Sequence, residues 1–141
     1  MPNRPTAIAD CMRKNPLTIN QNANILQAVE LIVEYKLTGL TVTDDAGSVV
    51  GILSEIECLE AILDTIYNDG DAESALVREV MQTDVNSCAP GDGIVEVAQD
   101  MVRTRQRRRP VIENGRLVGQ VSSSNMLWAL MEYSRRKALK A

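Results

Sequence analysis

The sequence predicts a mixed α/β protein in which one small unit occurs twice. An apolar strand with one glycine inside it, followed by serine and a helix, occurs at residues 48–59 and again at 116–127. Matches before these stretches, such as Met12 with Met81, are 69 residues apart, and the spacing becomes 68 within the stretches after a one-residue deletion in the second turn. With 141 residues, 45% of them hydrophobic, the chain is long enough for two units that cover each other's apolar faces.

The first copy is expected to contain an extended segment, a helix, a hairpin and a second helix. The extended segment is 16–19. Asn24, with Gln27 three residues later, has the pattern of a capping box, so a helix begins there. An Asp-Asp-Ala-Gly turn then separates two short apolar runs, which predicts a β-hairpin. The expected strands are 40–43 and 49–53, and the expected second helix is 56–67.

The second copy repeats this order with a sharper turn signal. Gly93 with Glu96 is expected to open a helix that spans 94–105. Asn114-Gly115 between two apolar runs suits a type I′ turn, because both residue types tolerate positive φ. The expected strands are 110–113 and 116–121, and the expected last helix is 123–137, with cations towards its end at Arg135, Arg136, Lys137 and Lys140.

Apolar side chains at helical and strand spacing define the expected core. The helix period also places Ala28, Val33, Ala98 and Val102 on the core faces. The positions expected to be buried are Ile25, Val29, Ile32, Val42, Ile52, Ile94, Val97, Met101, Val111 and Val121.

The last helix of each copy carries more apolar surface than one pair of units is expected to cover. An exposed patch of this kind usually marks an interaction surface. We therefore expect a homodimer. The residues concerned are Leu59, Ile62, Leu63 and Ile66 in the first copy, and Leu127, Leu130 and Met131 in the second.

Charge is distributed unevenly along the chain. Residues 1–76 carry four basic and twelve acidic side chains, whereas residues 77–141 carry eleven basic and seven acidic ones. The two halves are expected to attract each other, or their counterparts in a second subunit, and the basic half suits an anionic ligand.

Several functional classes are disfavoured by composition. The chain has no histidine, the commonest general base, so no catalytic residue and no metal site are predicted. Cys11, Cys58 and Cys88 lack metal-ligand spacing and are expected to be ordinary thiols of a reducing compartment. No apolar run approaches a membrane span and no signal-like segment occurs at the N-terminus, so we expect a cytoplasmic protein. Nucleic acid is an unlikely partner, because the chain is acidic overall and few aromatic residues are present for stacking.

The order of elements, given twice, resembles a tandem pair of cystathionine beta-synthase (CBS) domains. The resemblance covers about residues 7 to 131. It implies two β-α-β-β-α repeats packed with pseudo-twofold symmetry into one disc-like module. The expected domains are repeat 1 at 7–68, a linker at 69–76, repeat 2 at 77–131 and a basic C-terminal helix end at 132–141. The family also implies sensing of adenosine-containing ligands such as AMP, ADP, ATP or S-adenosylmethionine, with no required cofactor.

The resemblance also implies a set of ligand-binding residues. Members that bind adenosine nucleotides have Ser or Thr, two residues, then Asp, which holds the ribose hydroxyls. This chain has Glu57 after Ser54 and Asn125 after Ser122, so neither copy carries the Asp. Glycines in the preceding strands allow close approach of the backbone, and arginines before the second hairpin suit a phosphate, although a solvated helix end explains them as well. These further candidates are Gly51, Gly119, Arg105, Arg108 and Arg109.

The predicted function is a free-standing regulatory module that senses an adenosine-containing ligand through a change in shape or dimer geometry. The alternative is a ligand-free dimeric module that binds a protein partner. If nucleotides bind, the site at Ser122 and Asn125 is expected to prefer phosphorylated ligands, because Glu57 at the other site repels phosphate.

Overall fold

The computed structural model describes residues 6–68, 70–71 and 74–139, without the side chains of 136–139. Part of the predicted linker, at residues 69, 72 and 73, lies outside the described residues, as does Lys140 at the predicted basic end. Arg136 and Lys137 lie within the last helix, but their side chains are not among those described.

The chain forms two compact units that do not coincide with the two sequence copies. Unit 2 is residues 17–85, and unit 1 consists of residues 1–16 together with 86–141. In chain order the elements are a 3-10 helix at Ile8–Asp10, β1 (Arg13–Lys14), β2 (Thr18–Asn20), α1 (Ile25–Tyr35), β3 (Gly39–Thr43), β4 (Val49–Ser54), α2 (Glu55–Tyr67), α3 (Val77–Val80), α4 (Ile94–Thr104), β5 (Arg108–Glu113), β6 (Arg116–Ser122) and α5 (Ser123–Leu139).

Unit 2 is built on the sheet β2-β3-β4, in which β2 runs parallel to β3 and β3 runs antiparallel to β4. The predicted capping box opens α1: Asn24 Oδ1 accepts from the Gln27 N–H at 2.8 Å, and Gln27 Oε1 accepts from the Asn24 N–H at 3.0 Å. The hairpin expected from the Asp-Asp-Ala-Gly turn is present, and α2 follows it directly.

Unit 1 is built on the antiparallel sheet β1-β6-β5. Its hairpin has the expected type I′ turn, because φ is 54° at Asn114 and 78° at Gly115. The strand β1 comes from the N-terminal segment, where Ile8 is also completely buried in the core of unit 1. The mixed α/β expectation is therefore confirmed, and each sheet has three strands among the described residues.

Most of the predicted core is confirmed, with two corrections in unit 2. Ile52 and Val29 are only partly buried. In β4 the buried positions are Gly51 and Leu53, and side chains alternate between the two faces of a strand, so Ile52 points away from this core. The confirmed positions are Ile25, Ile32, Val42, Ile94, Val97, Met101, Val111 and Val121.

The outer edge of each first helix was assigned wrongly to the core. Val33 on α1 is 70% exposed and Val102 on α4 is 72% exposed. Both residues lie eight positions after the first buried residue of their helix, which at 100° per residue places them about 80° around the helix axis from that residue and still further from the other two buried residues. Ala28 is buried as expected, whereas Ala98 is partly buried.

Apolar side chains are exposed along the last helix of each copy, as expected. The partly buried exceptions are Ile62 and Leu130. Within the described ranges, no helix is both long and apolar enough to cross a membrane. The exposed residues include Leu59, Leu63 and Ile66 on α2, and Leu127, Trp128 and Met131 on α5.

Candidate functional site

The Ser-x-x-Glu motif of the first copy forms the start of α2. Ser54 is the N-cap residue, and its Oγ accepts from the Glu57 N–H at 3.3 Å. Glu57 Oε1 in turn accepts from the Ser54 N–H at 2.8 Å and from the Ser54 hydroxyl at 3.0 Å. These reciprocal bonds are a capping box. The Glu57 carboxylate that was predicted to meet a ligand is thus held against its own helix.

The Ser-x-x-Asn motif of the second copy forms the same arrangement at the start of α5. The Asn125 N–H donates to Ser122 Oγ at 3.2 Å, and Asn125 Oδ1 accepts from the Ser122 N–H at 3.1 Å. Both residues are partly buried. An amide oxygen therefore replaces the Glu57 carboxylate in the cap, and this site has one negative charge fewer than its counterpart.

The two sites differ in the residue that faces the serine across the sheet. Arg108 on β5 is paired in register with Ser122 on β6, and Arg108 is itself partly buried. In unit 2 the residue paired with Ser54 is Gly39. The strand position next to Ser122 therefore carries an arginine, whereas the equivalent strand position in the first copy carries no side chain.

Gly51 and Gly119 have a packing function within their own units. A Cβ at Gly51 would lie 2.6 Å from Met81 Sδ and 2.8 Å from the Gln82 carbonyl oxygen. A Cβ at Gly119 would lie 2.7 Å from Met12 Sδ and 2.9 Å from the Arg13 carbonyl oxygen. The space beside each glycine is therefore occupied by the chain itself, and contact of these glycines with a ligand remains a prediction.

Arg109 is a structural cation. It is only 3% exposed, and its Nη2 donates to Asp100 Oδ2 at 2.7 Å while its Nε donates to Gln106 Oε1 at 2.9 Å. Hydrogen bonds from Arg103 and Arg109 lower the pKa of Asp100 below its ordinary value. Arg109 is thus already paired, and a buried guanidinium with two partners is poorly placed to bind a phosphate.

Arg105 lies at the end of α4 and not on the hairpin that leads into the serine motif. It ends α4 in the left-handed conformation, with φ 56° and ψ 33°, and its side chain is exposed. Together with Arg107 it lines a cleft of about 490 Å³ between α4 and α5, which we call the α4–α5 cleft. The other lining residues are Ala98, Met101, Val102, Gln106, Ser123, Met126, Leu127 and Leu130.

Sequence reasoning missed the partners of Arg109. Asp100 precedes Arg103 by three residues on a helix, a spacing that predicts an ion pair, but its bond to Arg109 depends on the packing of α4 beside β5. The capping box at Ser54 was detectable, since Ser-x-x-Glu is the signature of that motif, whereas Ser-x-x-Asn at Ser122 does not match the signature.

Comparison with known proteins identifies the family. The CBS domain family matches at residues 8–64 and 77–132, which together are most of the chain. The chain belongs to the CBS domain family. This CBS pair is 30% identical over 115 residues to the gamma-3 subunit of 5'-AMP-activated protein kinase from Sus scrofa, a match that covers 79% of this chain and 22% of the subunit.

Solved structures show the same fold. CBSX2 of Arabidopsis thaliana, determined in complex with AMP, superposes with a TM-score of 0.80 at 24% identity and covers 92% of this chain and 99% of its own. The CBS domain pair of protein MJ0100, determined with 5′-methylthioadenosine and S-adenosyl-L-methionine, has a TM-score of 0.77 at 22% identity, over 89% and 96% of the two chains.

The match to longer relatives is partial. This CBS pair spans between 22% and 60% of the length of the first curated relatives. Relatives that are named as enzymes are matched over 23% of their length. Their enzyme names thus describe proteins of which the CBS pair is a minor part, and they assign no reaction to it.

Proposed function

We propose that this CBS pair is a regulatory module that binds an adenosine-containing ligand, with Ser122, Asn125 and Arg108 forming its phosphate-preferring site. The proposal rests on one observation above all: Arg108 is the cross-strand neighbour of Ser122, which lies at the start of a 17-residue helix. Helix N-termini favour anions, and a guanidinium binds phosphate through a fork of donors.

The ligand class is supported by the relatives. CBSX2 is solved with AMP, and the MJ0100 pair is solved with two adenosine compounds that carry a sulfur in place of a phosphate. In this chain a nucleotide suits the Ser122 site, whereas the carboxylate of Glu57 makes the Ser54 site better suited to a ribose without a phosphate. The cytoplasm is the proposed location.

The capping boxes set a condition on binding. Asn125 and Glu57 each already accept a backbone N–H, so a ribose hydroxyl has to use their remaining capacity or displace the cap. An N-cap contributes about 1 kcal/mol to stability, so displacing it weakens ligand binding by about fivefold. We therefore expect modest affinity at both sites.

Titration of AMP, ATP, adenosine and S-adenosylmethionine by calorimetry tests the proposal. Asn125→Asp restores the family carboxylate, keeps the cap and is expected to tighten the binding of adenosine compounds. Arg108→Gln is expected to weaken the binding of AMP and ATP by about tenfold or more, while the affinity for adenosine changes little. The matched control is Arg116→Gln, which removes an exposed arginine from the far end of β6.

Glu57→Asp is the corresponding variant in the first copy. A carboxylate that is one methylene shorter reaches the Ser54 N–H less well, so its stability is measured alongside its affinity. Binding to the folded state at ~100 times the dissociation constant adds about 2.7 kcal/mol of stability, which a thermal melt detects. If neither the parent nor either carboxylate variant binds any of the four compounds at millimolar concentration, the sensor proposal fails.

A second candidate function is a dimeric interaction module without a ligand. It is favoured by the apolar residues on the helix surfaces, where Leu127 is 70% exposed and Ile66 is 65% exposed. Both candidates include a homodimer formed through these helices. Sedimentation that shows only monomers at micromolar concentration would contradict the dimer in either case.

A further inference from the structure

The outer surface of α2 combines apolar and acidic side chains. Leu59, Leu63 and Ile66 are 56%, 43% and 65% exposed and recur at helical spacing along one side. Glu60 and Asp64 lie one residue further along from Leu59 and Leu63, and both are exposed. In the described part of the chain neither carboxylate forms an ion pair.

The α4–α5 cleft combines apolar and basic side chains. Its walls include the exposed Val102 and Leu127, with the buried Met101 and Met126 beneath them. Arg105 ends α4, while a hydrogen bond of 2.8 Å from the Ser123 N–H to the Arg107 carbonyl oxygen holds Arg107 beside the start of α5.

Both arginines therefore lie at the same end of the cleft, and both side chains are exposed. Neither forms an ion pair with any side chain that the structure describes. The cleft thus presents two uncompensated positive charges next to an apolar groove.

The two surfaces are opposite in charge although they derive from equivalent elements. The helices α1 and α2 contain six carboxylates and no lysine or arginine. Two copies of α2 placed face to face would bring Glu60 and Asp64 of each chain together, and two clefts placed face to face would do the same with the arginines. Like charges at an interface are unfavourable, whereas opposite charges select the partner surface.

We infer that a second copy of this chain docks with the α2 surface of one copy in the α4–α5 cleft of the other. Leu59, Leu63 and Ile66 fill the apolar groove in this arrangement, and Glu60 and Asp64 face Arg105 and Arg107. This rests on the homodimer in the proposed function and specifies which surfaces meet. The exposed apolar side chains of both helices are then covered by contacts with unlike rather than like helices.

Charge reversal on the two surfaces tests this inference by analytical ultracentrifugation. One variant carries Glu60→Lys and Asp64→Lys, a second carries Arg105→Glu and Arg107→Glu, and a third carries all four changes. Each two-residue variant is expected to dimerise roughly tenfold more weakly than the parent, because attraction becomes repulsion. The four-residue variant restores opposite charges and is expected to return to within about threefold of the parent dissociation constant.

Pairing of like surfaces gives a different pattern. Each reversal would then replace one like-charge contact by another, so the two-residue variants would dimerise as the parent does, and this result would overturn the inference. A parent chain that is monomeric would also overturn it. Far-UV circular dichroism melts show whether each variant is folded.

The salt dependence of dimerisation by the parent chain is a second test that needs no variant. If unlike surfaces meet, the dimer weakens as sodium chloride rises from about 0.05 to 0.3 M, because screening weakens the attraction between opposite charges. If like surfaces meet, the dimer tightens, because screening weakens the repulsion between like charges. Adenosine titrations on the parent are scored separately. A chain that binds a nucleotide but pairs like surfaces refutes only this inference, and a chain that pairs unlike surfaces without binding any nucleotide refutes only the sensor.

Discussion

Substituting the strand glycines by alanine tests their packing function directly. In Gly51→Ala the new Cβ would lie 2.8 Å from the Gln82 carbonyl oxygen, closer than real Cβ atoms approach, and a backbone oxygen cannot rotate away. The same backbone exchanges two hydrogen bonds of 2.9 Å with Ile52, so relieving the clash stretches both. Overpacking costs about 1–3 kcal/mol and each weakened hydrogen bond up to about 1 kcal/mol, so we expect a loss of about 2–4 kcal/mol.

Gly119→Ala is expected to behave alike, because its Cβ would lie 2.9 Å from the Arg13 carbonyl oxygen. Urea unfolding followed by circular dichroism measures the change. The control is Gly91→Ala, since nothing lies within 4 Å of a Cβ at Gly91. Its free energy of unfolding is expected to stay level or rise by about 0.4–1 kcal/mol. A Gly51→Ala protein within about 0.5 kcal/mol of the parent would show that the Gln82 segment does not hold this position.

Three further predictions concern the ion pair and the thiols of the structure. Arg109→Leu is expected to lower the midpoint of urea unfolding, since it removes the donors to Asp100 and Gln106, whereas an unchanged midpoint would contradict the structural role. Arg103 and Arg109 lower the pKa of Asp100, so the ionised Asp100 stabilises the folded state above about pH 4. This stabilisation is lost as the pH falls through the lower folded pKa. Asp100→Asn is expected to flatten this part of the curve of unfolding free energy against pH. Burial raises the pKa of the Cys58 and Cys88 thiols from 9.0 to about 11, so at pH 8 maleimide should label both roughly a hundredfold more slowly than in urea, and equal rates would contradict their burial.

The order of elements was predictable because its signals are local. The Asn24 cap, the Asn114-Gly115 turn and the helical period all act within a few residues, and each was found where the sequence placed it. The repeat itself could have corrected the prediction that Ile52 is buried. Val121 in the second copy matches Leu53 and not Ile52, and both Val121 and Leu53 are buried. The strand β1 and the helix α3 were missed, since short elements of two and four residues carry no period.

The candidate site was only partly accessible to sequence reasoning. The two serine motifs lie where the sequence placed them, at the junction of a strand and a helix. The separation of Arg105, Arg108 and Arg109 into a cleft, a strand position beside Ser122 and a buried ion pair follows from the end of α4 and the register of β5. These three arginines are close in sequence but have different surroundings in the fold. Those surroundings depend on tertiary structure and cannot be predicted from composition.

The interleaved path of the chain has a consequence for synthesis on the ribosome. Unit 2 is one continuous segment that is complete once residue 85 has emerged, so it is able to fold while the rest of the chain is still being made. Unit 1 has to wait, because β1 at Arg13–Lys14 pairs with Gln120 and Gly119 more than a hundred residues later. Until that pairing forms, the N-terminal segment and the buried Ile8 lack their partners, and closing so long a loop is slow. A nascent chain that stalls before β6 would therefore carry a folded unit 2 behind an exposed N-terminal strand, the species most prone to aggregation or to pairing with a neighbouring polypeptide.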